Sequence, residues 1–326
     1  MPEGRTASEH KHIKIKKAAV LTAVIIMSVL CMIVCGAGIC RNKKASGRRN
    51  LSYTLSDETG LSFSNADSVI GSIRTSLKNH DVKIYIGCNA RSGEHMEDVS
   101  PLIGELVYCA LVRTGEIKEG DYIRYQYGGY KLSYGHEELL EGGGYHYSVC
   151  IEPSYYSDLA QEQELDAKIK EIQKELGFGS VRWLFKSDTE KVTAIEDYIC
   201  EHVQYDMVHR NKKDVHLKST AFSAAVYERA TCQGYAELFY RLCMEEGIDC
   251  RIITGDARDP EDPDGDYVYH AWNLVRLNGK YYNVDTTWDA ELQDRSCFLK
   301  TDAEMPDHIR SEEYASEAFY AEYPMG

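Results

Sequence analysis

The stretch Ala-Thr-Cys-Gln-Gly-Tyr-Ala-Glu-Leu-Phe-Tyr-Arg-Leu-Cys-Met-Glu-Glu-Gly-Ile at 230–248 constrains this chain more than any other. From Cys232 it reads as a helix closed by Gly247, a residue type suited to the left-handed turn past a helix C-terminus. Its charged interior positions, Glu237, Arg241 and Glu245, lie four apart and make one narrow stripe. Tyr235, Ala236, Leu238, Phe239, Leu242, Cys243 and Met244 cover the rest of the circumference. A helix apolar on most sides belongs in the middle of a domain. Thr231 is the candidate N-cap and Cys232 the first helical residue. A thiol there faces the positive end of the helix dipole and unsatisfied backbone N–H groups, a setting that favours the thiolate and can cradle an oxyanion. Most cysteines are simply small buried side chains, so this position alone does not make a nucleophile.

A second half of a site comes from Val268–Leu277 and Lys280–Asp285, which read as two strands joined by Asn278-Gly279, the strongest short hairpin signal. With a two-residue turn Leu277 faces Lys280, His270 faces Thr287 and Trp272 faces Asp285. His270, Trp272, Asp285 and Thr287 then project from one face, with His270 and Asp285 diagonal neighbours within reach of an imidazole–carboxylate hydrogen bond. A slip of one residue would separate them. A helix-N-terminal Cys with a same-face His–Asp pair supplies the parts of thiol acyl transfer: nucleophile, proton acceptor and orienting carboxylate.

The rest of the 326 residues reads as follows. Residues 1–49 hold ten Lys/Arg against two Asp/Glu, and the remainder 27 against 50. An acidic body would be repelled by nucleic acid, which sets that partner aside. The 11 cysteines show no paired CxxC spacing, against zinc. After a basic tail (1–17), residues 18–40 run 23 positions without a charge, long enough for a transmembrane helix. A signal peptide is the alternative, with Cys35-Gly36-Ala37 a poor cleavage site. Basic residues flank the run on both sides, and a basic head before an apolar run points to the body lying outside the cell, anchored by one span; cleavage and secretion is the minor reading. Residues 41–65 read as a flexible linker.

Residues 66–157 read as a small α+β accessory domain. Val69, Ile70, Ile73 and Leu77 have helical spacing; Val82, Ile84 and Ile86 alternate as a strand; Ser100-Pro101 opens a second helix. Ile123/Tyr125/Tyr127 and Tyr130/Leu132/Tyr134 read as a hairpin about Gly128-Gly129, with a third run at Tyr145–Ile151. Its tyrosines suit a half-buried sheet better than a sugar or peptide surface. Residues 158–186 hold a bridging helix with Leu165, Ile169, Ile172 and Leu176, ending at Gly177. Residues 187–326 form the catalytic domain, opening on a capping box, Ser187 with Glu190, and a helix that turns Val192, Ile195, Ile199 and Val203 inward. Asp256–Asp266 is an acidic loop. Its Asp262, Asp264 and Asp266 hint at calcium, but the glycine falls at 265 and the terminal Glu is missing, so a solvated loop is the reading.

Three blocks, Thr-Cys-Gln-Gly-Tyr-Ala at 231–236, His-Ala-Trp-Asn at 270–273 and Tyr-Asn-Val-Asp-Thr-Thr-Trp-Asp at 282–289, resemble the transglutaminase-like superfamily, most of all its membrane-anchored or exported bacterial members. Tyr205-Asp206 and Phe298–Asp302 are similar to it too, so the likeness covers about 188–305. The resemblance implies an α+β, papain-like core: a central Cys-bearing helix packed on an antiparallel sheet. It assigns Cys232 as nucleophile, His270 as general base and acid, and Asp285 as orienting carboxylate, with the Cys232 N–H as one oxyanion donor. Gln233, Trp272 and Tyr205 are candidates for a second oxyanion or substrate contact. No metal or cofactor is implied. The expected activity is that of a cysteine acyltransferase or hydrolase acting on protein or peptide amides, including cell-wall peptide, through a thioester. Resolution by a Lys amine gives cross-linking, and by water a peptidase or amidase. The contrasting expectation is a catalytically silent module that binds peptide or cell-wall glycan.

Overall fold

A computed structural model describes residues 52–54, 66–91, 96–138, 144–206, 216–258, 262 and 264–326. The apolar run 18–40, the basic tail, most of the linker and much of the acidic loop lie outside them. Among the described residues no helix is long and apolar enough to cross a membrane.

The first region is a four-stranded sheet in the order β1-β2-β4-β3 with two helices on it. Its elements are β1 (Ser52–Thr54), α1 (Ala66–Lys78), β2 (Ile84–Arg91), α2 (Met96–Ala110), α3 (Asp121–Gln126), β3 (Tyr127–Glu138) and β4 (Gly144–Tyr155). Val69, Ile73 and Leu77 of α1 and Ile103, Leu106 and Val107 of α2 pack on Ile84, Ile86, Val149 and Ile151 of the sheet. Three expectations are corrected. Part of the presumed linker is β1, which pairs with the otherwise open edge of β2 and satisfies its backbone groups. The second helix starts at Met96, so Pro101 lies inside it. Gly128-Gly129 is no hairpin turn: residues 121–126 are helical, and β3 runs on to pair with β4. The register steps by one residue between Tyr127 and Tyr130, a β-bulge with Gly129 at φ 96°. Alternating apolar positions at 123 and 125 are buried on a short helix just as they would be on a strand.

The second region follows the predicted elements closely. α4 (Leu159–Leu176) is opened by an Asp158–Gln161 capping box and closed by Gly177 at φ 83°. After α5 (Val181–Leu184) comes α6 (Asp188–His202), started by the Ser187–Glu190 box. β5 (Gln204–Tyr205) and β6 (Arg229–Ala230) are paired in parallel, with a 3₁₀ turn at Leu217–Ser219 and α7 (Ala221–Val226) between them. α8 (Cys232–Glu245) follows, then β7 (Cys250–Ala257), β8 (Val268–Leu277), β9 (Lys280–Val284), α9 (Thr286–Leu292), β10 (Phe298–Lys300), β11 (His308–Arg310), α10 (Glu312–Ala315) and α11 (Glu317–Glu322). The five strands form one antiparallel sheet, β10-β9-β8-β7-β11. Leu238, Phe239 and Leu242 of α8 lie fully buried among Ile252, Ala271 and Val275 of the sheet, Leu165 and Ile169 of α4 and Ile195 and Ile199 of α6. Tyr122 and Tyr125 of α3 belong to this core, so α3 is where the first region docks.

The stripe Glu237–Arg241 on α8 is buried as well, at 0% and 1% exposure. Glu237 accepts from the Ala221 N–H at 2.9 Å and from Gln126 at 3.3 Å, and burial pushes its carboxyl well above the usual range. Arg241 pairs with Asp166 at 3.1 Å under the Tyr122 ring. Both side chains face α3 and α4 rather than water.

Candidate active site

The chain enters α8 under tight steric control. The Thr231 N–H donates to Lys218 O at 2.8 Å, and a Cβ on Gly234 would lie 2.7 Å from Ala230 Cβ and 2.9 Å from the carbonyls of Lys218 and Thr220. Only glycine lets the 3₁₀ turn press against the first helical turn. The N-cap is Thr231, in extended conformation; its hydroxyl meets Ser219 Oγ at 3.0 Å instead of capping the helix. As first residue of α8, Cys232 has a backbone N–H with no acceptor inside the helix. Its side chain is buried beside the His270 ring, whose pKa it helps to raise.

His270 lies on β8 opposite Gly255 of β7. The β8–β9 hairpin turns at Asn278 (φ 51°) and Gly279 (φ 83°) and pairs Leu277 with Lys280, in the expected register as far as Asn273–Val284. There the strand stops. The expected pairs Trp272–Asp285 and His270–Thr287 do not form, because Asp285 caps α9: its Oδ1 accepts the N–H groups of Thr287 at 3.1 Å and Trp288 at 3.4 Å. The Asp-Thr-Thr cap wins over continued strand alternation. The His–Asp contact nevertheless forms, His270 Nε2 donating to Asp285 Oδ2 at 2.6 Å, both side chains buried. With Nε2 committed, Nδ1 is the ring nitrogen left to meet the thiol. Burial alone would lower the His270 pKa; the Asp285 carboxylate, with Cys232 beside the ring, reverses this and carries it from 6.5 to about 10. Burial likewise opposes an ionised Asp285, yet His270 and then His308 hold its carboxyl well below the usual range.

The structure thus sets His270 against Asp285, with Cys232 on the side of the ring. Two expected donors have partners of their own. Gln233 Nε2 donates to Tyr125 O at 2.6 Å and Ser219 O at 3.2 Å, tying α8 to α3. Trp272 Nε1 donates to Asn283 Oδ1 at 3.0 Å, which commits the indole N–H to the hairpin. Tyr205 sits on β5 against Ala230, two residues before Cys232. Two residues were not anticipated. The Trp288 ring stacks on His270 with centroids 4.9 Å apart, and His308, on the short edge strand β11, reaches Asp285. Trp288 lies within the recognisable 282–289 block, whereas a three-residue strand leaves no periodicity to find His308 by. The trio His270, Asp285 and His308 is also the group of metal-competent donors found among the described residues.

A sequence model of the transglutaminase-like superfamily matches residues 184–286, from α5 to the capping carboxylate. Over these residues the chain is similar to the transglutaminase-like superfamily. Mouse and human kyphoscoliosis peptidase are 33% and 32% identical to it over 147 residues, which is 42% of this chain and 22% of each relative. The match therefore spans about a fifth of those relatives' length. Looser likenesses reach the crystal structure of a TGase (TM-score 0.33, 18% identity, 48% of this chain and 44% of that one) and a candidate cysteine protease from Cytophaga hutchinsonii (TM-score 0.31, 18% identity, 57% and 69%). The transglutaminase-like match is in line with thiol-dependent catalysis in broad terms.

Proposed function

We propose that the chain is a thiol acyltransferase or hydrolase of protein or peptide amides, working through Cys232, His270 and Asp285. The carrying observation is the buried His270 ring hydrogen-bonded to the Asp285 carboxylate at 2.6 Å, with Cys232 near enough to help raise its pKa. His270 takes the thiol proton; the thiolate adds to the amide carbonyl, and the oxyanion meets the N–H of Cys232. The imidazolium then returns the proton to the departing amine as the C–N bond breaks, leaving a thioester on Cys232. Asp285 stabilises the imidazolium and holds the tautomer that turns Nδ1 to sulfur. Water or a second amine resolves the thioester. The peptidase name of the mammalian relatives makes water the acceptor to test first. We further propose that residues 18–40 anchor the chain and that the domain acts outside the cell, on surface protein or cell-wall peptide; the disulfide-bonded Cys109 suits an oxidising compartment.

The test incubates wild-type chain and Cys232→Ala with glutamine-containing peptides, with and without a primary-amine probe, under mass spectrometry. A Cys232-dependent mass adduct followed by acid release reads as hydrolysis; probe incorporation reads as transfer. A panel that gives no Cys232-dependent turnover refutes the enzyme reading and leaves a binding module. Protease accessibility of the domain on intact cells tests the orientation.

A further inference from the structure

We infer that His308 is a positioning residue of this site, a second histidine that clamps the Asp285 carboxylate for His270. The inference rests on Cys232 being the reacting thiol.

Asp285 Oδ2 receives two N–H donors, His270 Nε2 at 2.6 Å and His308 Nε2 at 2.9 Å, while Oδ1 receives two backbone N–H groups of α9. A carboxylate oxygen has two in-plane lone pairs, so the two histidines fill Oδ2. With His270 alone, the carboxylate could swing about its Cβ–Cγ bond and still keep one partner. With His308 opposite, rotation in either direction breaks a charge-assisted hydrogen bond.

The fold builds this clamp deliberately. β11 lies on the far edge of β7, with Arg310 opposite Gly255 and His308 opposite Ala257, while Gly255 also faces His270 from the other side. Paired strand positions share a face, so two small residues separate the two histidines, whose ring centroids lie 5.8 Å apart. A Cβ on Gly255 would sit 2.0 Å from Ile309 O, so a side chain there would push β11 away. The His308 ring is held edge-on by Trp288 at 4.5 Å and Trp272 at 5.1 Å, and its side chain is 5% exposed. A buried imidazole walled by two indoles and aimed at a charged oxygen is fixed in angle as well as distance.

The same three donors could hold a divalent metal, since their ligand atoms lie within 4.8 Å of one another. Hydrogen bonding is the better account. Both nitrogens already meet one oxygen at hydrogen-bond distance, and a metal on His270 Nε2 would remove the N–H that fixes the reactive tautomer.

The experiment follows iodoacetamide alkylation of Cys232 in the full-length chain by mass spectrometry of its peptide, from pH 5 to 10. It compares wild type, His308→Gln and His308→Leu. Glutamine can return an N–H to Asp285; leucine fills the space without one. A hydrogen bond to a charged group is lost in the leucine variant, so alkylation slows about ten- to a hundredfold at neutral pH and its pH profile moves, while glutamine stays within about threefold of wild type. If leucine prevents folding, His308→Asn, whose amide stops short of Asp285, replaces it. A folded leucine or asparagine variant with the wild-type profile overturns the inference, as does a glutamine variant impaired as deeply as leucine. So does tight Co²⁺ or Zn²⁺ binding lost in His308→Gln, which makes the trio a metal site. A wild-type Cys232 that alkylates like a free thiol refutes the proposed function itself, a result separate from any variant effect.

Discussion

Asp285→Asn is the most informative perturbation, because it removes a charge and almost nothing else. The asparagine Oδ1 can still accept from the N–H groups of Thr287 and Trp288, so α9 keeps its cap. Its amide NH₂, however, now faces two histidine Nε2 atoms that donate in the wild type. His270 must turn its Nε2 lone pair to that amide, which places its proton on Nδ1, against the sulfur. The magnitude follows from the pKa of His270, raised from 6.5 to about 10, with Asp285 the first of its raising causes and Cys232 the next. At about 1.4 kcal/mol per pH unit, the imidazolium is favoured by on the order of 5 kcal/mol, and losing the larger contributor removes on the order of 2–4 kcal/mol. That lowers the thiolate–imidazolium population roughly thirty- to a thousandfold. The assay is the alkylation rate of Cys232 against pH, with amide turnover measured beside it and the melting midpoint as a check on folding. The stability sign can be read in the same samples. A histidine with a raised folded pKa stabilises fully below about pH 6.5 and loses that contribution as pH rises towards about 10; Asp285, with its pKa lowered, contributes above about pH 4 and loses its share on acidification. In Asp285→Asn both dependences should flatten. A folded variant that keeps more than about a tenth of the wild-type alkylation rate at pH 7 would refute the reasoning.

Asp121 of α3 accepts from Arg251 Nε at 2.6 Å and Nη2 at 3.1 Å and from the Ile252 N–H at 3.1 Å, all buried, so Asp121→Ala strands a buried guanidinium and should cost about 3–5 kcal/mol in denaturant unfolding. Gly255→Ala drives a Cβ into Ile309 O and should cost roughly 1–3 kcal/mol, with turnover falling further than stability because β11 carries His308 away from Asp285; equal losses would count against that link. Glu196 and Asp289 are a buried carboxyl pair, and burial together with Asp289 forces Glu196 to keep its proton. A raised carboxyl pKa makes stability fall as pH climbs above about 4.5, so Glu196→Gln should raise the melting midpoint more at pH 8 than at pH 5, a difference absent if the pair is not proton-sharing.

The parts of the site that sequence discloses are those carried by strong local patterns. α8 was legible because seven apolar residues surround it and Gly247 ends it, and the β8–β9 hairpin because Asn278-Gly279 needs two residues at positive φ. The departure at Asp285 was obscured by two local codes written over each other. Asn283, Asp285 and Thr287 continue a strand alternation, while Asp-Thr-Thr-Trp also caps a helix, and packing against α6 and α8 decides for the helix. Gly128-Gly129 was ambiguous in the same way between a turn and a bulge. The hydrogen bonds that Gln233 and Trp272 make had no local signal, because their partners on Tyr125 and Asn283 lie more than ten residues away. His308 has no local signal, since its role exists only when β11 meets β7.

The docking of α3 has a consequence for what can be cut from this gene product. The homologous segment spans 184–286, yet its Arg251 is neutralised from residue 121, its Glu237 is covered from residue 126, and the carboxylate at its last helix is gripped from residue 308. A fragment trimmed to the matching boundaries would leave a buried guanidinium and a buried carboxyl without their partners and lack the strand behind its own acid. What is inherited as a block is therefore smaller than what folds as a block. Transplanting the chemistry into another scaffold means moving residues from both flanks with it.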